Sequence, residues 1–123
     1  MAYATKRIVF DAPIGSDQGI QFPLARAYTQ VAAADQMRNR AAELFDADES
    51  CGAEANTAKF LASEASWQAA NICLDTHGGY GFVDTYDVER KFRETRLYQV
   101  APVNNNLVLA YVGQHVLGLP RSY

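Results

Sequence analysis

The sequence contains no long apolar run and no excess of positive charge. No stretch approaches the roughly 20 apolar residues that a membrane-spanning helix needs, and Met1–Arg7 lacks the apolar segment of a secretory signal. Lysine and arginine number 11 against 14 acidic residues, for a net charge of −3. We therefore expect neither a membrane nor a nucleic acid as partner, and a cytoplasmic location.

Cysteine and histidine are equally scarce. Cys51 and Cys73 have no CxxC spacing, which favours reduced thiols over a disulfide framework. A carboxylate-bridged metal site in a helical bundle needs a glutamate three residues before a histidine. The residues three positions before His77 and His115 are Leu74 and Val112, so we predict no metal site. Nucleophile-elbow, Walker and dinucleotide-binding glycine motifs are also missing from the sequence.

Alanine is abundant instead, among leucine, glutamate, arginine and glutamine, which favours helix. Apolar residues recur every three or four positions over 22–45 and again over 53–74, which predicts two long amphipathic helices. Pro23 is expected in the first turn of the first helix, where a missing N–H costs nothing. The polar stretch 46–52 connects the two helices, whose matched lengths suit antiparallel neighbours.

Shorter elements follow. The glycine-rich segment His77–Gly81 stops the second helix, and residues 88–97 form a charged, shorter helix. Asn104–Asn106 cap a final helix that continues to Leu117. A β-like patch is confined to Arg7–Phe10. The predicted fold is an all-α, up-and-down bundle, and this pattern by itself indicates no reaction.

Three motifs occur in register along the chain: Tyr3-Ala-x-x-Arg7-x-x-Phe10-x-x-Pro13-Ile-Gly15-x-x-Gln18, His77-Gly-Gly-Tyr-Gly-Phe82 and Tyr86-x-Val-Glu-Arg90-x-x-Arg93. In order and spacing they resemble the C-terminal helical domain of the acyl-CoA dehydrogenases. The likeness covers essentially the whole chain, and Val116–Tyr123 is similar to the terminus of one bacterial subgroup. It implies one domain over residues 1–123, a four-helix bundle whose first helix is truncated.

Members of that family are flavoproteins that remove two hydrogens from the α and β carbons of an acyl-CoA thioester. A glutamate takes the α proton and FAD takes the β hydride, usually in a dimer of dimers. The resemblance therefore implies the C-terminal domain of such an oxidoreductase, inactive alone, which contributes to FAD binding and assembly. Because most of one helix is missing, the exposed faces should drive self-association or recruit a partner subunit. The alternative is a non-catalytic helical interaction module that has lost flavin chemistry.

The resemblance also assigns roles to individual residues. Arg7 corresponds to the arginine that contacts the FAD pyrophosphate across a subunit interface, and Phe10 and Gln18 correspond to residues that line the same cofactor. Gly78 and Gly79 correspond to the glycines over which the adenosine part of a neighbouring subunit's FAD lies.

Several positions depart from the family pattern. Asp75 stands where the family usually has a glutamine that hydrogen-bonds the cofactor. Many members carry Tyr-Glu-Gly-Thr after the charged helix, whereas this chain has Tyr98 on the substrate side, Gln99 in place of the base, and Ala101 in place of the threonine. A glutamine cannot accept the proton. Asn104–Asn106 are candidates for the lost polar contacts, and a glutamate on a preceding helix or in an active partner subunit would supply the base.

Overall fold

The computed structural model describes residues 1–121, which form five α-helices. In chain order they are α1 (Ala2–Lys6), α2 (Gln18–Asp46), α3 (Gly52–His77), α4 (Val88–Val100) and α5 (Asn105–Tyr111). A π-helical turn over Val112–Val116 extends α5, and 3₁₀ turns occupy Ile14–Ser16, Gly78–Phe82 and Asp84–Tyr86. The predicted all-α bundle with a short first helix is confirmed. Residues 122–123 lie outside the described residues. They end both the predicted domain and the segment Val116–Tyr123 that resembles the terminus of a bacterial subgroup.

The first long helix begins earlier than predicted. The Oδ1 atom of Asp17 accepts the Gly19 N–H at 2.7 Å, so this N-cap starts α2 at Gln18. Pro23 consequently lies inside the helix and not in its first turn, and the prediction for this residue is wrong. Its missing N–H leaves the Gly19 carbonyl without the usual helical donor.

The two long helices form the centre of the bundle. Residues 47–51 connect them, close to the predicted connection, and α3 continues three residues beyond the predicted end. Their buried residues are mostly small: Ala27 and Ala34 on α2, and Ala58 and Ala65 on α3. Small side chains allow the two backbones to approach closely, so this pair provides the platform on which the shorter elements pack.

The charged helix is also longer than predicted and ends at Val100. Ala101, the next residue, is extended (φ −137°), the conformation favoured before a proline such as Pro102. Tyr98 and Gln99 therefore lie in the last turn of α4 and not in the loop after it. The Arg93 Nε donates to the Glu89 carboxylate at 2.9 Å, one helical turn away.

Two short elements complete the fold. Strands β1 (Ile8–Val9) and β2 (Ala12–Pro13) pair antiparallel; β1 lies within the predicted β-like patch, and β2 lies beyond it. Asn104 caps α5, since its Oδ1 accepts the Leu107 N–H at 2.9 Å. None of the helices within residues 1–121 has the length and apolar character needed to cross a bilayer.

Candidate cofactor site

A surface pocket of about 540 Å³ forms where α1 and the β-hairpin meet the end of α3. Arg7, which caps α1, lines one side. Asp75, Gly78, Gly79 and Tyr80 line the other side. We call this the Arg7 pocket. It unites four of the predicted cofactor residues: Arg7, and the neighbouring Asp75, Gly78 and Gly79, which lie 68 or more positions later in the sequence.

The Arg7 side chain is oriented without being neutralised. Its guanidinium carbon lies 5.2 Å from the centroid of the Tyr80 ring, over the ring face. Within residues 1–121 no aspartate or glutamate forms a salt bridge with Arg7. An aromatic face attracts a cation but accepts none of its in-plane N–H groups in an ordinary hydrogen bond. The N–H fork of Arg7 therefore remains available to an anionic ligand.

The two glycines present bare backbone beside this cation. Gly78 has φ +56°, a conformation that L-residues with a side chain rarely adopt. A Cβ atom placed on Gly78 or Gly79 would meet no atom of the described chain within 4 Å. The space that side chains would occupy is thus open to a ligand. A free guanidinium next to accessible backbone fits a phosphate-bearing group such as the one the resemblance implies.

An aromatic cluster ties the two sides of the pocket together. Tyr3 of α1 stacks on His77 with ring centroids 4.1 Å apart, and it makes an edge contact with Tyr86 at 5.4 Å. Tyr80 contacts Tyr86 edge-on at 6.0 Å. These rings hold α1 against the end of α3 and so set the position of Arg7 relative to the glycines.

Sequence reasoning assigned no role to Tyr3, Tyr80 or Tyr86, although each lies within one of the three motifs. The signal available was an aromatic residue directly after the glycine pair. This signal was uninformative alone, because aromatic residues are common in turns. Only the fold shows that the Arg7 guanidinium lies over the Tyr80 ring.

Phe10 and Gln18 do not line the Arg7 pocket. Phe10 is 98% exposed at the tip of the hairpin, where it adopts φ +50°. Gln18 is exposed at the first position of α2. Their cofactor roles remain predictions, and in this arrangement neither side chain reaches the pocket of its own chain.

A second polar cluster lies where α3, α4 and α5 meet. The Lys59 Nζ donates to the Tyr98 carbonyl at 2.7 Å and to Asn105 Oδ1 at 2.5 Å. Asn105 Oδ1 also accepts the Ser63 hydroxyl at 2.9 Å. The Tyr98 carbonyl is one of the last in α4, where a positive charge satisfies an otherwise free acceptor. We call Lys59, Ser63, Glu64, Gln99 and Asn105 the Lys59 clasp.

Gln99 belongs to this clasp. Its Nε2 donates to Glu64 Oε1 at 3.1 Å, and the same Glu64 oxygen accepts Asn105 Nδ2 at 2.9 Å. Arg96 donates to Gln99 Oε1 at 2.5 Å. Both ends of the Gln99 amide are therefore engaged within the chain. Its role here is to join α4 to α3, whatever residue related proteins carry.

Burial lowers the pKa of the Lys59 ammonium, and the negative charge of Glu64 partly offsets that effect. Lys59 also borders a cavity of about 370 Å³ together with Tyr98, Ala101 and Pro102. Tyr98 thus lines this cavity, which is separate from the Arg7 pocket.

The segment after α4 carries no carboxylate that could act as base. The last acidic residue of the whole sequence is Glu94, and Ala101–Val103 are apolar. Of the three asparagines that follow, Asn104 caps α5 and Asn105 belongs to the Lys59 clasp. Only the exposed Asn106 has neither of these engagements. The polar groups predicted to replace lost cofactor contacts are thus mostly used to build the bundle.

Comparison with known proteins places these observations in a family. Residues 1–117 match the family model of the acyl-CoA dehydrogenase C-terminal domain. The chain is 40% identical over 123 residues to the acyl-CoA dehydrogenase FadE12 of Mycobacterium tuberculosis, covering 98% of this chain and 32% of that protein. This chain therefore spans about a third of the length of the curated relatives it matches.

Solved structures agree. The butyryl-CoA dehydrogenase of Megasphaera elsdenii superposes with a TM-score of 0.90 at 28% identity, over 94% of this chain and 30% of that one. The ChsE4–ChsE5 complex of Mycobacterium tuberculosis gives a TM-score of 0.86 at 29% identity, over 97% of this chain and 32% of that one. PigA, solved as an FAD complex, gives 0.90 at 21% identity over 96% and 30%, which supports the fold.

These relatives do not favour the alternative of an interaction module without flavin chemistry, because the curated relatives are named as dehydrogenases and reductases. The family model covers nearly the whole chain. The chain belongs to the acyl-CoA dehydrogenase family, as its C-terminal domain.

Proposed function

We propose that this chain is the C-terminal bundle of an FAD-dependent acyl-CoA dehydrogenase, in which it holds part of the FAD and contributes to subunit assembly. The observation that carries the proposal is the Arg7 pocket. It joins an arginine that forms no salt bridge within residues 1–121 to two glycines with open space above their backbones. This combination suits the pyrophosphate and adjoining ribose of a dinucleotide.

In this function Arg7 binds a pyrophosphate oxygen pair through its planar fork. Gly78 and Gly79 allow the cofactor to lie against backbone, and Asp75 accepts a hydrogen bond from a hydroxyl or amino group in the pocket. Phe10, exposed at the hairpin tip, contacts FAD bound in another subunit. A bound FAD would supply the acceptor for the hydride that leaves the β carbon of an acyl-CoA thioester.

The proton acceptor comes from outside this part of the sequence. Gln99 cannot serve as base, and after Glu94 the chain has no carboxylate. We therefore expect the isolated chain to be inactive towards acyl-CoA. In the parent enzyme, a glutamate on a preceding helix or in a partner subunit takes the α proton.

Assembly follows from the surface of the bundle. Phe22, Tyr28 and Phe45 of α2 are exposed. A groove of about 530 Å³ runs between α2 and α3, with alanines such as Ala34 and Ala58 along it. Exposed apolar surface of this kind is typical of interfaces. We propose that these surfaces are covered by further protein of a cytoplasmic, oligomeric enzyme of fatty-acid metabolism.

The test is the flavin content of the complete gene product that contains residues 1–123. We expect purified protein to carry FAD, and anaerobic addition of an acyl-CoA to bleach the flavin absorbance. A methyl group at Gly79 projects into open space, so Gly79→Ala should reduce FAD content without lowering the unfolding temperature of the apoprotein. Gly113→Ala is the matched control, because its new Cβ meets only Leu119 Cδ1, at 3.9 Å.

A complete gene product that neither retains nor binds FAD would contradict the proposed function. FAD binding without any acyl-CoA-dependent bleaching would retain the cofactor role and overturn the proposed substrate.

A further inference from the structure

We infer that Tyr80 is a positioning residue for the anion-binding fork of Arg7, so that affinity for the FAD pyrophosphate depends on the Tyr80 ring face. This inference rests on the proposed function of the Arg7 pocket. No assigned role explains why the residue after the glycine pair should be aromatic. The geometry supplies a reason.

The first step concerns the orientation of Arg7. An exposed arginine has several rotatable bonds and loses side-chain entropy when a ligand fixes it. In this structure the guanidinium already lies over the Tyr80 ring, 5.2 Å from its centroid. The same ring and guanidinium line the Arg7 pocket. The attraction therefore orders the side chain before a ligand arrives.

The second step concerns charge. A carboxylate partner would also order Arg7, but it would occupy the N–H groups and cancel the charge that a phosphate needs. An aromatic face does neither, because it contacts the guanidinium plane and leaves the in-plane N–H groups free. Arg90 shows the contrast within this chain, since Asp87 and Glu94 both accept hydrogen bonds from it.

The third step concerns the rigidity of Tyr80. Tyr80 is 47% exposed, so the residue is partly accessible to a partner and partly supported by its neighbours. The support comes from Tyr86, in edge contact at 6.0 Å, and from Tyr3, with centroids 6.5 Å apart. Tyr3 belongs to the helix that Arg7 caps, and the Arg7 N–H donates to the Tyr3 carbonyl at 2.8 Å. The cation and its aromatic support are thus anchored to the same cluster.

The test is a double-mutant cycle on the complete gene product, with the dissociation constant of FAD measured by titrating the apoprotein. Tyr80→Leu should weaken FAD binding about two- to five-fold, the range expected for an exposed cation–π pair. Tyr80→Phe retains the ring and should match the unmodified protein. Phe82→Leu, at an exposed aromatic residue of the same 3₁₀ turn that does not line the Arg7 pocket, is the control for loss of an aromatic side chain.

The decisive readout is the same substitution in an Arg7→Ala background. If Tyr80 acts through Arg7, Tyr80→Leu should have no further effect on FAD affinity there. A merely structural role of Tyr80 would weaken binding equally in both backgrounds, and that result would overturn the inference. Weakening by Arg7→Ala with no effect of Tyr80→Leu would also overturn it but leave the proposed function standing. No FAD binding by the unmodified protein would overturn the proposed function itself.

Discussion

The Arg7 pocket and the Lys59 clasp are both built around a cation, but they use it in opposite ways. Lys59 donates to a carbonyl and an amide oxygen of its own chain, with Glu64 hydrogen-bonded close by. Arg7 has an aromatic face beside it and no salt bridge within the described residues. The clasp is therefore complete within the described residues, whereas we propose that a ligand completes the pocket.

This difference predicts which property, stability or cofactor affinity, a substitution in each region should change. Removing a charge whose partners lie in the chain, as those of Lys59 do, leaves exposed or half-buried polar groups without a donor and lowers stability. Removing a charge that we propose to bind a ligand, such as that of Arg7, leaves no polar group of the apoprotein unpaired. Such a substitution should lower the affinity for the ligand instead. The two regions thus predict separable effects on unfolding and on cofactor binding.

The largest expected effect is that of Arg7→Ala on affinity for FAD. Hydrogen bonds to charged groups contribute about 1.5–3 kcal/mol, so we expect FAD binding to weaken roughly 10- to 100-fold. The free energy of unfolding of the apoprotein should change by less than about 0.5 kcal/mol. Arg26→Ala, at an exposed arginine of α2, provides the control. If Arg7→Ala and Arg26→Ala weakened FAD binding equally, the effect would come from the loss of surface charge in general and not from the Arg7 pocket.

The next effect is that of Lys59→Met on stability. The variant leaves the Tyr98 carbonyl and Asn105 Oδ1 without their lysine donor. We expect a loss of about 1–2 kcal/mol in the free energy of unfolding, measured by urea denaturation of the apoprotein. Lys91→Met, at an exposed lysine of α4, should cost much less. If Lys59→Met left stability unchanged and weakened FAD binding, the clasp would belong with the ligand site.

A smaller effect is expected from Asp75→Asn. Asp75 brings negative charge into the pocket that we propose for a pyrophosphate. Its removal should tighten FAD binding about two- to five-fold at low ionic strength, and the gain should shrink in salt. Asp46→Asn, at the end of α2, is the matched control. Weaker binding by Asp75→Asn would mean that the hydrogen bond accepted by the carboxylate outweighs its repulsion of the pyrophosphate.

The smallest effect concerns pH. Because the pKa of Lys59 is lowered in the folded protein from its ordinary 10.5, the unfolded state binds more protons between the two values. Stability should therefore rise with pH across that interval, a contribution that Lys59→Met abolishes. The contribution of Lys59 is measured by comparing the urea midpoints of the unmodified protein and of Lys59→Met as the pH approaches 10.5. Parallel pH profiles would show that burial does not penalise this ammonium.

The long helices were predictable because each depends on local pattern. Alanine content and apolar spacing predicted α2 and α3, and the glycine pair predicted where α3 stops. The misplaced boundaries have local causes that compete with the pattern. The Asp17 cap starts α2 before Pro23, and the extended conformation of Ala101 before Pro102 ends α4 at Val100.

The candidate site was predictable only in part. Motif resemblance named Arg7, Asp75, Gly78 and Gly79, and the structure brings them around one pocket. It also named Gln99, but spacing gave no sign that this amide is hydrogen-bonded to Glu64, 35 positions earlier. Tyr80 was missed for the same reason, since its partner Arg7 is distant in sequence.

By itself the sequence determined the all-α class, the helical platform of α2 and α3, the family resemblance, and the absence of acidic residues after Glu94. These properties follow from composition and from interactions between residues within a few turns of one another. Only the tertiary structure decided which cation is satisfied and which is free. That decision depends on contacts between α1 and the end of α3, and between α3 and α5. Such contacts join residues that chain order keeps apart, so no local pattern encodes them.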